Sequence, residues 1–217
     1  MLALALLAGA CSGDDETPAP EPDQAGAPTL RQQPADLDVK IARVSGALPK
    51  AEAKAVTQRL GHVVATWFDG GFLSGDYPRS SFSGYAAFTP GAAKLARRDS
   101  GVTTNAQLGS QWVQVVPTRQ VVRLYVFAPG HRASGATARV ELVMVGADES
   151  GSASELAVTG QLYLTKTKAG WQIFGFDLQR SVGAPGAFQS PSSKQRLSNK
   201  SGQPKAQKKN GRGKGRA

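Results

Sequence analysis

Four strand-like segments in the second half of the chain constrain its fold more than any other feature. Each is rich in apolar, β-branched and aromatic side chains, which favour strands. They cover residues 112–128, 138–147, 156–165 and 171–180. Turn-forming pairs such as Pro129-Gly130 and Ala169-Gly170 separate them. Segments of this length with turns between them predict an antiparallel meander.

Residues 156–165 show the pattern of a half-buried strand most clearly. Aliphatic side chains occupy positions 156, 158, 162 and 164, whereas Thr159, Gln161 and Thr165 carry polar groups. A period of two places the two sets on opposite faces of a strand. The sequence therefore predicts that this segment contributes one apolar face to a core.

The last segment leaves the direction of Asp177 open, because both of its faces carry apolar groups. If Phe174, Phe176 and Leu178 face the core, Asp177 points into solvent, and this is the interpretation that we favour. If Trp171, Ile173 and Asp177 face inward, the carboxylate lies in a pocket and its pKa is raised by burial.

Residues 50–68 carry the strongest helical pattern in the chain. Their apolar side chains recur at steps of three and four residues and form one stripe. The stripe consists of Ala53, Val56, Leu60, Val63 and Trp67. Pro49 favours a helix start at this point, and Gly70-Gly71 predicts the helix end.

Shorter elements flank this helix. Residues 39–48 fit either a short helix or a strand, and we leave both open. Residues 80–88 predict a short helix, and Thr89-Pro90 predicts the N-cap and first position of another helix over residues 92–99. Together these elements predict an α+β fold, in which one long and one or two short helices pack on a curved four-stranded antiparallel sheet.

This order of elements resembles the cone-shaped, cystatin-like fold of the nuclear transport factor two superfamily. The shared features are the long helix that ends in Trp67-Phe68 and the last hairpin at residues 168–171, and the resemblance covers about residues 40–182. It implies a pocket enclosed by helix and sheet. Anchored members of this fold in high-GC Gram-positive bacteria accompany mammalian-cell-entry transporters and conjugation machinery. The resemblance therefore implies a binding or assembly role, and it supplies no catalytic residue.

Six side chains are candidates for lining such a pocket. They are Trp67, Phe68, Asp76, Tyr77, Tyr85 and Asp177. Because some enzymes of the superfamily pair a carboxylate with a tyrosine, the resemblance also implies a weak proton-transfer enzyme or a small hydrophobic-ligand site as an alternative. The competing interpretation is that the aromatic side chains fill the core and that Asp76 belongs to an ordinary turn.

The sequence offers few other groups for catalysis or metal binding. His62 lies near the edge of the helical stripe and His131 lies at a hairpin tip, and we expect neither to act chemically. The chain lacks a serine-nucleophile motif, a phosphate-binding glycine loop and a metal-ligand spacing. We therefore expect no metal and no cofactor, and we favour a role other than catalysis.

The N-terminus indicates export. Residues 1–10 are apolar and shorter than the roughly 20 residues of a membrane-spanning helix, but they suit a signal peptide. Leu-Ala-Gly-Ala-Cys at residues 7–11 resembles the lipobox of bacterial lipoproteins, although the family prefers its Leu one position closer to the cysteine. The resemblance implies a lipid on Cys11 that anchors the protein at the outer face of the cell membrane, and plain secretion is the alternative. Since no Lys or Arg precedes the apolar residues, we expect the natural start to lie upstream.

The net charge of +10 is distributed unevenly along the chain. Residues 12–38 contain seven acids, one base and five prolines, and predict a disordered tether. Residues 39–183 are the predicted domain. Residues 184–217 contain no acid and predict a disordered basic tail. Its bases are Lys194, Arg196, Lys200, Lys205, Lys208, Lys209, Arg212, Lys214 and Arg216.

These features favour an exported, lipid-anchored, non-enzymatic module that binds another component of the cell envelope. A pocket for a small ligand, or a weak enzyme, is the second hypothesis. The third is that the basic tail attaches to anionic surface polymers, by electrostatic binding that salt weakens. We do not expect nucleic acid as a partner, because the tail from residue 189 onward has no aromatic side chains on which bases stack.

Overall fold

The computed structural model describes Leu30 and residues 32–188. Within them, three α-helices accompany a five-stranded mixed sheet, which confirms the predicted α+β class. The elements are β1 (Leu37–Gly46), α1 (Lys50–Phe68), α2 (Pro90–Arg98), α3 (Ser100–Thr103), β2 (Gln114–Ala128), β3 (Gly135–Ala147), β4 (Ala153–Thr167) and β5 (Gly170–Gly183). A π-helical turn, Asp69–Leu73, continues α1, and short 3₁₀ turns cover Gly84–Ala87 and Pro129–His131.

The strands lie side by side in the order β1-β2-β3-β4-β5. Strands β2 to β5 are antiparallel neighbours, so the predicted meander is confirmed. The prediction of four strands that are all antiparallel is wrong, because β1 adds a fifth strand that runs parallel to β2. The helices lie between β1 and β2 in the sequence. A connection of this length crosses one face of the sheet and returns the chain in the same direction.

Strand β1 occupies the segment that fits either a helix or a strand by its sequence. Leu37, Val39, Ile41 and Val44 pack against the core, and the glycine at position 61 of α1 approaches the Val39 side chain. Apolar residues at steps of two and three fit both the helical and the strand periodicity, so the local pattern does not distinguish a helix from a strand. The segment forms a strand because the free edge of β2 supplies hydrogen-bonding partners for its backbone.

The core lies between α1 and one face of the sheet. From α1, the side chains of Val56, Leu60 and Val64 are fully buried. They meet even-numbered side chains of β2, β3 and β4, such as Leu124 and Leu142, which are also fully buried. The helical stripe and the strand alternation of the sequence thus meet in one hydrophobic core.

The region after α1 differs in part from its prediction. Gly70 does not stop the helical path, which continues through the π-helical turn. A Cβ at Gly70 would lie 2.5 Å from the Gly84 nitrogen, so glycine permits the two backbones to approach. The helix predicted over residues 80–88 is only a 3₁₀ turn. The predicted cap of α2 is confirmed, since the Thr89 side chain accepts a hydrogen bond from the backbone of Ala92.

A β-bulge in β5 decides the direction of Asp177. Ile173 is buried, and Phe174 follows as an extra residue in the pairing with β4. Beyond the bulge the alternation shifts by one position. Phe176 and Leu178 therefore pack against the core, whereas Asp177 is exposed on the other face. The expectation that Phe174 faces the core with them is wrong, because the bulge leaves its side chain 53% exposed.

The packed domain includes short segments on both sides of residues 39–183. Before β1, the Ala35 backbone N–H donates to the Pro117 carbonyl at 2.8 Å. After β5, the Phe188 N–H donates to the Glu155 carboxylate at 2.9 Å, and Glu155 is only 2% exposed. Both segments thus contact the sheet through the backbone.

Three predicted regions lie outside the described residues. They are the signal peptide with Cys11, most of the acidic tether, and the basic tail from residue 189 onward. Among the residues that are described, no helix is long and apolar enough to cross a membrane.

Candidate functional site

The predicted pocket between α1 and the sheet is occupied by packed side chains. Trp67 is 1% exposed and Phe68 is fully buried. Their ring centroids lie 4.8 Å apart, and Phe72 stands edge-on to Trp67 at 5.6 Å. The Trp67 Nε1–H donates to the Thr103 carbonyl at 2.9 Å. These residues form part of the core, and a ligand at this place would have to displace them.

Tyr77 lies at the border of this core, and hydrogen bonds hold its hydroxyl. The hydroxyl donates to the Phe72 carbonyl at 2.6 Å and accepts from Asn105 Nδ2 at 3.2 Å. Burial raises the pKa of Tyr77. Asp76 is exposed in the preceding turn. The hydroxyl of Tyr77 is thus engaged with Phe72 and Asn105 rather than with the neighbouring carboxylate.

The structure brings the predicted aromatic residues together without the two carboxylates. Trp67, Phe68 and Tyr77 belong to one core, and Tyr85 packs at its border. The Arg97 guanidinium lies 5.0 Å from the Tyr85 ring centroid, which is a cation–π contact. Asp177 faces solvent on the opposite side of the sheet. A proton-abstracting base within reach of a bound ligand is therefore not formed by this set.

Replacing Tyr77 with Phe should remove a pH-dependent part of the stability. The pKa of Tyr77 is raised in the folded state above its ordinary value of 10.0. The protonated hydroxyl therefore stabilises the fold below that value, and this contribution is lost as pH rises through the raised pKa. The free energy of unfolding of the parent should fall more steeply than that of Tyr77→Phe between about pH 8 and about pH 11. Near neutral pH the variant should be less stable by about 1 kcal/mol, because two hydrogen bonds disappear.

Urea titrations at the two pH values measure this difference, and Tyr85→Phe is the matched control. Like Tyr77→Phe, it removes one hydroxyl next to the core, but no hydrogen bond of the Tyr85 hydroxyl is found within the described residues. Tyr85→Phe should therefore be about as stable as the parent near neutral pH. Parallel curves for the parent and Tyr77→Phe would contradict the prediction.

The sheet face that points away from the helices is exposed over part of its area, and we call it the open face. The buried side chains on the same face include Val143, Val145, Glu155 and Ala157. At its centre, Arg123 pairs with Asp38 at 2.8 Å, and Arg119 pairs with Glu141. Hydrogen bonds from Arg123 and Lys40 hold the pKa of the Asp38 carboxyl below its ordinary value. These charges compensate one another, as is usual on a solvated sheet face.

Beside these charges, the open face carries four aromatic side chains, which we call the aromatic cluster. The cluster consists of Tyr125, Phe127, Tyr163 and Phe174. Phe127 is 56% exposed and Phe174 is 53% exposed. The Tyr163 and Phe174 rings lie 6.2 Å apart, and the Arg139 guanidinium lies 5.9 Å from the Tyr125 ring. Large apolar groups that are exposed on the same face mark a candidate contact surface.

Sequence reasoning assigned none of these four residues to a site. Each lies in a strand-like segment, where apolar side chains are expected because such segments contribute to a hydrophobic core. The signal that identifies them is their position, because Phe127 and Tyr163 are odd-numbered in strands whose even-numbered residues already form the buried face. Phe174 carries no such signal, since the bulge alone turns it outward.

Strand β5 is an edge of the sheet and offers a second contact surface. Among the described residues, its outer edge makes one backbone hydrogen bond, from the Thr89 N–H to the Ile173 carbonyl at 2.8 Å. An open groove lies beside the rest of this edge. Its apolar lining comes from Val102 of α3 and from Phe176 and Leu178 of β5.

Arg180 lies close to this groove with two unused donors. Its Nη1 donates to the Gly101 carbonyl at 3.0 Å and to the Gln107 side chain at 2.6 Å. Its Nε and Nη2 are buried and have no hydrogen-bond partner among the described residues. Burial also lowers the pKa of Arg180. These two N–H groups form the edge with which a guanidinium binds a carboxylate through two parallel hydrogen bonds.

In the part of the chain that the structure describes, no group of three His, Cys, Asp or Glu side chains is arranged to hold a metal ion. Comparisons with protein-family models, with curated proteins and with solved structures found no match for this chain. The features of the domain that bear on its function are the aromatic cluster on the open face and the edge of β5 with its groove.

Proposed function

We propose that this chain is an exported, lipid-anchored protein of the cell envelope that binds another envelope protein through the edge of β5. The observation that carries the proposal is the open edge of β5 with an apolar groove beside it. An edge strand presents unpaired N–H and C=O groups, to which an extended segment of a partner can add as a further strand. The groove then receives alternate side chains of that segment.

The composition of β5 supports this edge over the edge formed by β1. β5 has 14 residues and contains neither Pro nor Lys, the residues that often protect edge strands from pairing. β1 has only 10 residues and contains Lys40. Each of the two edge strands has one irregularity in its pairing, so that feature does not separate them. Arg180 can add a polar contact, because its Nε and Nη2 lack partners among the described residues; both are buried, so its side chain would have to turn outward to meet a carboxylate of the partner.

A role other than catalysis is supported by the packing of the predicted pocket. Trp67 and Phe68 fill the space between α1 and the sheet, and Asp76 and Asp177 lie outside it. A small-ligand site or a proton-transfer enzyme of this fold requires an open cavity with a carboxylate in reach. This alternative therefore has less support than binding at the surface.

We also propose that the domain is a variant of the cystatin-like cone of the nuclear transport factor two superfamily. In support, α1 packs across successive antiparallel strands, as the resemblance implies. The parallel strand β1 departs from the expected four-stranded sheet. Anchored members of that superfamily have binding or assembly roles, which agrees with the function proposed here.

A photo-crosslinking residue at Gln179 tests the contact and the location in cells that produce the full chain. Gln179 is exposed on β5, and crosslinking in the membrane fraction should give one discrete protein adduct. The same residue at Lys54, which is exposed on α1, is the matched control and should give no adduct. A fatty-acid label should enter the parent but not a Cys11→Ala variant, because Cys11 is the single cysteine of the chain.

The two parts of the proposal fail separately in this experiment. Adducts of equal yield from Gln179 and Lys54, or free monomer alone from Gln179, contradict binding at the β5 edge. A parent chain without the fatty-acid label contradicts the lipid on Cys11, whatever the crosslinking shows.

A further inference from the structure

Two hairpins and the end of β1 meet at one end of the sheet, which we call the hairpin end. Residues 129–134 connect β2 to β3 there, and residues 168–169 connect β4 to β5. β1 also ends there, because Gly46 pairs with Ala128 at the end of β2. The chain enters the sheet region at the opposite end, where the Leu30 N–H donates to the Gln114 side chain.

The hairpin end is basic. Its exposed positions carry six side chains that are cationic or can become so. They are Arg43, Lys50, His131, Arg132, Lys166 and Lys168. Residues 43–50, 127–137 and 163–174, which build this end, contain no Asp or Glu. The charge therefore lacks compensation within these segments, in contrast to the paired charges at the centre of the open face.

The aromatic cluster adjoins this basic end. Phe127 comes directly before the last residue of β2, and Phe174 lies within the first residues of β5. Both are more than half exposed, and neither side chain has a polar atom that water can satisfy. The fold thus places apolar side chains and uncompensated bases next to each other at one end of the domain.

We propose that the hairpin end docks on the surface of an anionic phospholipid bilayer. Phe127 and Phe174 enter the boundary between headgroups and acyl chains, and the bases contact the phosphate-bearing headgroups. A bilayer offers negative charge and an apolar layer side by side, which matches the two kinds of side chain on this surface. A charged polymer would engage only the bases. Tyr125 and Tyr163 suit the same boundary, because each has an apolar ring and a polar hydroxyl.

The length of the chain before the domain agrees with this orientation. β2 has 15 residues, so the distance from the Leu30 end of the sheet to the hairpin end is about 50 Å. A chain from Cys11 to Leu30 reaches about 60 Å at about 3.1 Å per residue. A protein held by a lipid on Cys11 can therefore still place its hairpin end on the same membrane. Docking itself does not require the lipid.

Binding to vesicles tests the proposal on the full-length chain without its lipid. We would use a Cys11→Ser chain whose nine tail bases are replaced by glutamine, so that neither lipid nor tail contributes. This chain should bind vesicles that contain phosphatidylglycerol. Binding to pure phosphatidylcholine vesicles should be about a hundredfold weaker, because several bases lose their attraction to the surface. Phe127→Ser with Phe174→Ser should weaken binding to the anionic vesicles by about tenfold.

Val182→Ser is the matched control for the loss of an exposed apolar side chain. Val182 is 52% exposed, close to the value for Phe174, and lies near the other end of β5. This variant should bind vesicles like the parent. In a further variant, Phe127→Trp, brominated lipids should quench additional indole fluorescence that the parent lacks.

Several outcomes overturn the proposal. They are equal binding to neutral and anionic vesicles, equal binding of the double Phe variant and its parent, and an absence of quenching in Phe127→Trp. Retention on an anionic polymer without any vesicle binding would assign the surface to that other partner. Because these chains lack the lipid and no partner protein is present, none of these outcomes bears on the lipid at Cys11 or on partner binding at the β5 edge.

Discussion

A full-length chain with Trp67→Ala should unfold at a much lower urea concentration than the parent. We expect the free energy of unfolding to fall by about 3–5 kcal/mol. Trp67 is 1% exposed between Phe68 and Phe72, so its removal leaves a cavity that close-packed neighbours fill only partly. Domains of this size have about 5–15 kcal/mol of stability in total, so the loss is a large share. Urea titration followed by circular dichroism measures the change.

Trp67→Phe separates the packing contribution from the hydrogen bond to Thr103. Phe retains a ring at this position but cannot donate to the Thr103 carbonyl. We expect a loss of about 1–2 kcal/mol, clearly smaller than that of Trp67→Ala. If Trp67→Ala costs less than about 1 kcal/mol, the side chain does not hold the core together. The interpretation of this region as an open ligand pocket would then regain support.

Gly160→Ala should destabilise the domain by about 3 kcal/mol, through both backbone strain and steric overlap. Gly160 lies inside β4 with a φ of +141°, a conformation that side chains with a Cβ rarely adopt. A Cβ there would overlap the Asp177 carbonyl oxygen and would lie 2.9 Å from the Leu178 Cα. The obstruction is backbone of the neighbouring strand, so no side-chain rotation relieves it. Urea titration again gives the free energy of unfolding.

Gly91→Ala is the matched control for the same chemical change in an open environment. A Cβ at Gly91 would meet nothing within 4 Å, and the residue lies in the first turn of α2. Since Ala lowers the entropy of the unfolded chain and favours helix, we expect a small gain of about 0.5 kcal/mol. Equal effects of the two substitutions would contradict the close approach of β4 and β5 at Gly160.

The parts of the fold that sequence reasoning predicted correctly are those with a repeated local period. Four turns of one apolar stripe end in Trp67, and this stripe identifies α1 without knowledge of any neighbour. The same holds for residues 156–165, where alternation specifies which side chains of β4 face the core. The start of α2 at Thr89 and Pro90 was also predicted correctly, because a helix cap depends only on residues that are close in the chain.

The features that the sequence left open or predicted wrongly are those for which a distant neighbour decides the local structure. Residues 37–46 become a strand because β2 offers them a free edge, and their partners on that edge lie 82 or 83 residues away in the chain, as in Leu37 with Gln120 and Gly46 with Ala128. The bulge at Phe174 depends on the register between β4 and β5, and a shift of one residue reverses the face of every side chain after it. The candidate pocket is another such case, because composition does not reveal whether aromatic side chains leave a space.

By itself, the sequence determined the α+β class, the antiparallel meander and the long helix, because periods of two and 3.6 residues act within one segment. It also shows an acidic region before residue 39 and a basic region after residue 188, because composition is visible without a fold. Only the tertiary structure decided that Trp67 and Phe68 are core, that Asp177 faces solvent, and that Phe127 and Phe174 form an exposed surface beside the bases of the hairpin end. Each of these depends on contacts between residues that are remote in the chain, which no local pattern encodes.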